Sequence, residues 1–145
     1  MVFLIQRVSK AKIAIRGTKI AEISNGLLVL VGVEKDDNSN VIKKLIDKLL
    51  KFRIFNDKYE KMNLNIEQVK GQILFAPQFT LLADHFSGNR PSFSKVPSNS
   101  YSRDIYNKVI AEIEKNDVYG GSGVFGEDME ISLINQGPAT FWLNI

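Results

Sequence analysis

Residues 25–33 constrain the fold more than any other segment. Asn25-Gly26 stands between two apolar runs, and both residue types tolerate positive φ, a pattern typical of a two-residue β-hairpin. The seven residues from Leu27 to Val33 are continuously apolar apart from Gly32, which is typical of a strand covered on both faces. A membrane-spanning helix needs about 20 apolar residues, so this run predicts an inner strand of a soluble, layered fold.

Period-two and apolar patterns predict further strands on either side of this one. They lie at residues 2–8, 10–16, 19–23, 53–55, 72–75, 128–134 and 139–144. Arg16-Gly17-Thr18 is predicted to be a turn. Gly120-Gly121-Ser122-Gly123 precedes a strand rather than a helix N-terminus, so we interpret it as a flexible hairpin turn and not as a phosphate-binding loop.

Two helices are predicted, each with one apolar face. The first follows capping residues at 36–40 and runs to about Phe52; the second runs from about Ser100 to Lys115. Short connections at both ends of the chain favour antiparallel pairing. We therefore predict an α/β fold: residues 1–145 form a single domain with a mostly antiparallel, barrel-like β-sheet core and two helices packed outside it.

The chain has no cysteine and one histidine, which excludes several kinds of catalytic site. Disulfides, thiolate zinc sites and cysteine nucleophiles are impossible, and a Ser-His-Asp triad would have to use His85. A lone histidine in a polar loop is more often simply exposed. We expect no metal and no organic cofactor. The first residues lack the basic region of a secretory signal, so we expect a cytoplasmic protein.

The net charge is +3, and basic side chains concentrate between Lys43 and Lys61. A basic face can attract phosphates, whereas a solvated helix face is the simpler interpretation and is favoured by the charges alone. Glu127-Asp128 is interpreted as a surface turn, because adjacent strand residues face opposite ways.

Two segments are less easily explained as ordinary connections. In residues 76–81, Pro77 lacks an N–H, so the strand's hydrogen-bond ladder must stop or bulge there. Backbone N–H groups that are freed at a strand end can polarise a substrate carbonyl, although Phe79 in the core of an ordinary strand end is the alternative. In residues 135–140, Gly137-Pro138 breaks two apolar strands. A cis bond would turn both carbonyls to one side as a backbone wall, although a plain hairpin turn is favoured by chain physics alone.

Taken together, these segments resemble the D-aminoacyl-tRNA deacylase family of bacterial and eukaryotic type, over the whole chain. The matching segments, in order, are Leu4-Ile5-Gln6-Arg7-Val8-Ser9, residues 26–33, Arg53-Ile54-Phe55, Lys61-Met62-Asn63-Leu64, Gln78-Phe79-Thr80-Leu81, Arg90-Pro91-Ser92-Phe93, Phe125-Gly126, Asp128-Met129, Asn135, Gly137-Pro138 and Thr140.

The resemblance implies a homodimer that hydrolyses the ester joining a D-amino acid, or glycine, to the 3′ end of tRNA, and that rejects L-aminoacyl-tRNA. It implies that Gly137 and Pro138 of one subunit enter the partner's pocket as a cis dipeptide held by Arg7. Gln78, Phe79, Thr80 and Met129 would line that pocket. The resemblance implies that neither a membrane nor DNA is a partner.

Two views of the chemistry stay open. Thr80 would act as the nucleophile in one, and the 2′-hydroxyl of the terminal adenosine would activate the reaction in the other. We favour the second because Thr80 has no evident base partner. The chain departs from the family at Pro77, where Ser is usual, and at Glu60, where Gly is usual. A related animal deacylase with relaxed chirality also has Pro at the first position, but lacks the phenylalanine that this chain keeps as Phe79.

Three alternative functions remain: a related tRNA deacylase with relaxed chirality, a non-catalytic RNA-binding barrel, and a small-molecule hydrolase with a Thr80–His85 pair. The RNA-binding barrel would need aromatic side chains spaced on an exposed sheet face, and the sequence has no such run.

Overall fold

A six-stranded sheet forms the centre of the structure, a computed structural model that describes residues 1–86 and 88–145. The strands are β1 (Val2–Ile15), β2 (Thr18–Ile23), β3 (Gly26–Gly32), β4 (Phe55–Asn56), β5 (Met62–Leu64), β6 (Gln72–Pro77), β7 (Tyr119–Ser122) and β8 (Glu130–Asn144). The helices are α1 (Ser39–Lys51) and α2 (Asn99–Ile113), with a short 3₁₀ helix at Phe79–Leu82. β4 and β5 form a small separate sheet.

β1 organises the sheet because it is long enough to pair with three strands. It pairs with β3 along its first half, with β2 along its second half, and with β8 over most of its length, always antiparallel. β6 lies parallel to β3, and β7 lies parallel to β6. The sheet is mostly antiparallel and barrel-like, with two helices outside, as predicted.

The predicted hairpin at Asn25-Gly26 is wrong. β2 and β3 do not pair with each other; both pair with β1, so the turn carries the chain from one half of β1 to the other. A Cβ on Gly26 would lie 1.8 Å from the carbonyl oxygen of Gln72, so this glycine is needed for close approach to β6. The two-residue hairpin is at Arg16-Gly17, where φ is +50° and +77°.

The glycine-rich segment at 120–123 is also not a turn, because β7 covers most of it. A Cβ on Gly120 would lie 2.4 Å from Ile23 Cγ2, and one on Gly121 would lie 2.7 Å from Ala21 Cβ. Both contacts are with β2, at the far end of the sheet from β7. The glycines therefore let the two ends of the sheet come together, which gives the barrel-like shape.

Two pairs of predicted strands are single strands in the structure. Residues 2–8 and 10–16 belong to β1, and residues 128–134 and 139–144 fall mostly within β8. β8 carries an irregularity: Gln6 pairs with Thr140 and Val8 with Asn135, so residues 136–139 have no partner on β1. We call residues 136–139 the β8 bulge.

Both helices lie where the sequence predicted. The side chain of Asn38 caps α1 by accepting from the N–H groups of Asn40 and Val41, at 3.0 and 3.3 Å, and Ser98 caps α2. Neither helix, nor any other in the described residues, is long and apolar enough to cross a membrane.

The core has two parts, one on each face of the sheet. The larger part packs both helices against β1, β3 and β6 through side chains such as Phe3, Val29 and Phe75. The smaller part lies inside the curved sheet around Val8, Ile13 and Leu28, and the half-buried side chains of Met129 and Ile131 pack against it. Leu27 to Val33 is covered on both faces, as predicted.

Candidate active site

A cleft of about 530 Å³ lies between the end of β6, the start of α2 and the beginning of β8. Three of the residues predicted for the site line it: Gln78, Phe79 and Met129. The other lining residues come from α2 and from the turn before β8. They are Pro77, Val96, Asn99, Ser102, Arg103, Phe125, Gly126, Glu127, Asp128 and Ile131.

The wall formed by the end of β6 presents free backbone donors. Pro77 still pairs with Val31, and the N–H of Gln78 donates to the carbonyl oxygen of Val31 at 2.8 Å, after which the ladder stops. The N–H groups of Phe79 and Thr80, in the first turn of the 3₁₀ helix, donate to no other described residue. Such groups can stabilise negative charge that develops on a carbonyl oxygen.

Met129 reaches the cleft because Gly123 leaves room for it. A Cβ on Gly123 would lie 2.5 Å from Met129 Sδ. The backbone of Gly123 is fixed from two sides: its N–H donates to the carbonyl of Phe75 at 2.8 Å, and its carbonyl accepts from the buried hydroxyl of Tyr106 at 3.1 Å. Burial raises the pKa of that tyrosine, which therefore stays a neutral donor.

Ser102 brings an unpaired hydroxyl to the cleft wall formed by α2. Its side chain is buried, and its Oγ has no hydrogen-bond partner in the part of the chain that the structure describes. This residue was not among those predicted for the site. The available signal was its spacing, since Ser102 lies three and four residues before the buried Ile105 and Tyr106, on the apolar face of α2.

Glu127 and Asp128 also line the cleft, so their interpretation as a plain surface turn was incomplete. Both are exposed, and Glu127 forms an ion pair of 3.7 Å with Arg16, while Arg103 on α2 provides a further cation in the lining of the cleft. Sequence alone places these residues far apart. Only the packing of α2 beside the beginning of β8 brings them together.

Thr80 and His85 do not form a catalytic pair in the structure. The Thr80 side chain is exposed, is absent from the lining of the cleft, and makes no hydrogen bond with another described residue. His85 Nδ1 lies 3.3 Å from the carbonyl oxygen of Ala83, and its ring stacks on Phe86.

The remaining predicted residues lie together elsewhere, around the β8 bulge. The buried Arg7 donates from Nε to the carbonyl of Gln136 at 3.2 Å, and from Nη1 to Ile54 O at 2.6 Å and to Asn56 Oδ1 at 3.2 Å. A cavity of about 420 Å³ lies beside these contacts.

Asn135 fastens the other side of the bulge. Its side-chain amide donates to the carbonyls of Arg7 and Ala139 at 3.1 and 3.4 Å. Between these anchors Gly137 and Pro138 are exposed, with a cis peptide bond joining them. Neither lines the cleft of its own chain.

Two surfaces outside the cleft carry exposed apolar or basic side chains. Along β8, Ile134 and Trp142 are exposed apolar side chains, with 61% and 54% of their surface accessible. On α1, Lys43, Lys44, Lys48 and Lys51 are all exposed, opposite the buried apolar face. In residues 1–86 and 88–145 no three His, Asp or Glu side chains form a group that could hold a metal ion.

Comparisons with known proteins agree on one family. The sequence model of the family described as "D-Tyr-tRNA(Tyr) deacylase" matches residues 4–144. Proteins named D-aminoacyl-tRNA deacylase from Haemophilus influenzae and Alteromonas mediterranea are 49% and 47% identical, and each alignment covers 100% of both chains.

Two solved structures have the same fold. A "c-Myc DNA Unwinding Element Binding Protein" superimposes with a TM-score of 0.91 at 27% identity, covering 100% of this chain and 99% of that one. A probable eukaryotic D-amino acid tRNA deacylase superimposes with a TM-score of 0.86 at 14% identity, covering 99% and 98%, and supports the fold alone. The full-length match and the identity of nearly one half in sequence show that this chain belongs to the D-Tyr-tRNA(Tyr) deacylase family.

Proposed function

We propose that this protein hydrolyses the ester bond between a D-amino acid and the 3′ end of tRNA, in the cleft at the end of β6. The observation that carries the proposal is a pair of backbone N–H groups with no acceptor among the described residues: that of Phe79, which lines the cleft, and that of the adjacent Thr80. Ester hydrolysis passes through a tetrahedral oxyanion, and two backbone donors that are already in place can stabilise it. Family membership supplies the substrate class.

We propose that the rest of the site comes from a second copy of the chain. The β8 bulge is anchored by Arg7 and Asn135 but does not line the cleft of its own chain. The exposed apolar side chains of β8 give a homodimer a surface to bury. In a symmetric dimer each subunit would receive Gly137 and Pro138 of the partner in its cleft.

We propose that chirality is read by the backbone at Gly137 and Pro138. The carbonyl oxygens of this dipeptide would form a fixed wall. An L side chain would overlap with the wall and be excluded, whereas a D side chain or the hydrogen of glycine would point away from the wall. Glycyl-tRNA would therefore also be a substrate. The decisive measurement is the hydrolysis rate of matched D- and L-aminoacyl-tRNA: rapid loss of the D ester with a stable L ester supports the proposal, and equal rates overturn it in favour of relaxed chirality.

Subunit complementation tests whether the site is shared. One variant would lose the cleft donor (Phe79→Pro) and another the bulge (Gly137→Val), so that each homodimer is inactive. If the site is shared, mixed dimers contain one intact site each, and about a quarter of all sites recover after subunit exchange. No recovery, in dimers shown to have exchanged, would place the whole site within one chain.

We propose that the substrate's 2′-hydroxyl, rather than Thr80, activates the reaction. Support comes from the Thr80 hydroxyl, which has no base beside it among the described residues. Thr80→Ala should keep the rate within a few-fold, whereas a substrate ending in 2′-deoxyadenosine should lose about 10²- to 10⁴-fold. An inactive Thr80→Ala variant that is still folded, with a normal deoxy substrate, would instead assign the nucleophile to Thr80.

The expectations of no cofactor, no DNA partner and a cytoplasmic location remain predictions. Loss of activity after chelation, with recovery by one specific metal, would contradict the first. The name of one structural relative refers to a DNA element. Competition between single-stranded DNA and D-aminoacyl-tRNA for the protein therefore tests the second directly.

A further inference from the structure

Phe86 is the most exposed large apolar side chain in the described part of the molecule, with 90% of its surface accessible. It belongs to a region with two further exposed phenylalanines, Phe79 at 51% and Phe93 at 39%. Exposed aromatic rings are scarce elsewhere in the described residues, where Tyr59 and Trp142 are the others. The exposed aromatic surface is therefore concentrated in one segment that starts at the cleft.

The loop that presents Phe86 is organised around Asp84. The backbones of Asp84 and Ser92 exchange two hydrogen bonds of 2.8 Å. Asp84 Oδ1 accepts from the N–H of Phe86 at 3.1 Å, and Asp84 Oδ2 lies 2.9 Å from Lys95 Nζ. The hydrogen bond from Lys95 holds the pKa of Asp84 below its ordinary value, so the carboxylate that fixes Phe86 stays charged at neutral pH.

The Phe86 ring lies beside a second aromatic ring. The ring of His85 stacks on it at a centroid distance of 4.9 Å and an interplanar angle of 21°. The high exposure of Phe86 leaves its remaining surface free. A stacked pair that keeps a flat ring open to solvent has the shape that accepts a further planar group.

The loop tip is continuous with the wall of the cleft. Phe93 directly follows Ser92, and its ring lies edge-on to Phe79 at a centroid distance of 5.1 Å. Phe79 lines the cleft. Two residues span at most about 8 Å, so Phe86 lies close to the Asp84–Ser92 pair and hence to this wall.

Charge at the tip favours an anionic partner. Arg90 is exposed and forms no ion pair with any residue of 1–86 or 88–145. The other residues near Phe86 are polar or small, namely Asp84, Gly88 and Asn89, so the ring is isolated and not part of a broad apolar patch. A protein partner would bury about 800 Å² per side around an anchor residue, whereas a single base needs only one ring and a nearby cation.

We propose that the loop tip formed by His85, Phe86 and Arg90 binds the unpaired RNA that leads into the cleft, with one base stacked on Phe86 and an adjoining phosphate beside Arg90. This inference rests on the proposed function and deepens it by assigning a subsite for the nucleotides that precede the terminal adenosine. Stacking on an aromatic ring is tolerant of sequence, so the subsite would read strandedness and not base identity.

The first experiment compares two substrates, D-aminoacyl-tRNA and D-aminoacyl-adenosine, which lacks the preceding nucleotides. Phe86→Ala should lower kcat/KM for the tRNA by about 5- to 100-fold and leave the adenosine ester unchanged. Phe86→Trp should keep the tRNA rate within about twofold because it keeps a stacking surface. Tyr59→Ala, at an aromatic residue with 69% of its surface exposed in another loop, is the matched control and should change neither rate.

The second experiment measures binding without hydrolysis. An RNA hairpin with a single-stranded 3′ terminus is compared with the same hairpin ending flush. Phe86→Ala should weaken binding of the first and not of the second. Arg90→Gln should make the negative slope of log K against log salt concentration shallower by about 0.7 to 0.9, which is the change expected when one phosphate contact is lost.

The outcomes separate this inference from the proposed function. If wild-type protein hydrolyses neither ester, the proposed function fails, and the binding experiment still decides the subsite. An unchanged Phe86→Ala variant, or equal losses on both substrates, overturns the subsite. A change in oligomeric state on Phe86→Ala, measured by sedimentation, would assign the tip to a protein interface and also overturn it.

Discussion

The end of β6 and the β8 bulge both interrupt a strand, but they expose opposite halves of the peptide group. At the end of β6 the N–H groups of Phe79 and Thr80 donate to no described residue, and Phe79 lines the cleft. In the β8 bulge, the carbonyls of Gly137 and Pro138 accept no hydrogen bond from a described residue, and the dipeptide faces outward. Backbone N–H donors can bind the carbonyl oxygen of an ester. Backbone carbonyl acceptors can bind an ammonium group, or form a wall that excludes a side chain. The hydrolysis that we propose would use both halves, and Gly137 and Pro138 do not line the cleft of their own chain.

The two regions also differ in how they are held. The start of a 3₁₀ helix places the backbone donors of the cleft, and no side chain caps that helix. The bulge is held by side chains: the buried Arg7 binds it to residues 54 and 56, and Asn135 closes it from the other side. Damage to the first should therefore affect catalysis, and damage to the second should affect stability and discrimination.

The largest expected effect comes from removing one backbone donor of the cleft. Phe79→Pro deletes the N–H at the first residue of the 3₁₀ helix, a position that tolerates proline because an N–H there has no partner within the helix. Compared with Phe79→Ala, which removes the same ring but keeps the N–H, kcat should fall by a further factor of about 10² to 10³. Single-turnover hydrolysis of D-aminoacyl-tRNA is the measurement, and equal rates for the two variants would remove the donor from the mechanism.

The second effect is expected at the side chain that holds the bulge. Arg7→Lys keeps the charge but cannot satisfy three separated acceptors, so the free energy of unfolding should fall by about 2–4 kcal/mol. Urea denaturation measures it. Arg53→Lys is the control, because Arg53 makes a comparable bond of 2.5 Å to the carbonyl of Asn63 on an exposed surface. Its loss should stay below about 1 kcal/mol, and similar losses in both variants would show that burial of Arg7 is not what matters.

The third effect leaves both regions intact and reduces RNA affinity. Replacing Lys43, Lys44, Lys48 and Lys51 by Ala should weaken tRNA binding and flatten its salt dependence, without changing the ratio of D to L hydrolysis. Binding measured over a range of salt concentrations tests this, with Lys108→Ala on α2 as a single-site comparison. Unchanged affinity at low salt would place the RNA on another face.

The smallest effect concerns the hydroxyl left unpaired beside the cleft. Ser102→Ala removes a buried group that has no partner among the described residues, so the free energy of unfolding should rise by about 1 kcal/mol. Thermal or urea unfolding measures the change. A loss of stability of that size would mean that the hydroxyl has a partner in solution, such as a bound water.

The sequence predicted regular elements well and their partners poorly. Helix α1 followed from apolar spacing and from capping residues at 36–40, of which Asn38 is the cap, because both signals lie in the helix or next to it. The Asn25-Gly26 hairpin was wrong because β2 and β3 both find a better partner in β1, whose length lets it pair with both. Glu60 shows a subtler case: its φ of +60° is the left-handed region, which explains in backbone terms why glycine is usual there.

What the sequence alone determined is the set of local features: both helices, most of the strands, the absence of thiol chemistry, and the motifs that carry the family resemblance. These follow from periodicity, capping and composition, which need no knowledge of distant residues. Only the tertiary structure decided that the glycines of β7 close the sheet against β2, that Ser102 and Asp128 face the same cleft as Gln78, and that Arg7 holds Gln136. Those relations depend on which segments of the backbone come within a few ångströms of each other. The number of residues between two segments in the sequence does not give that distance.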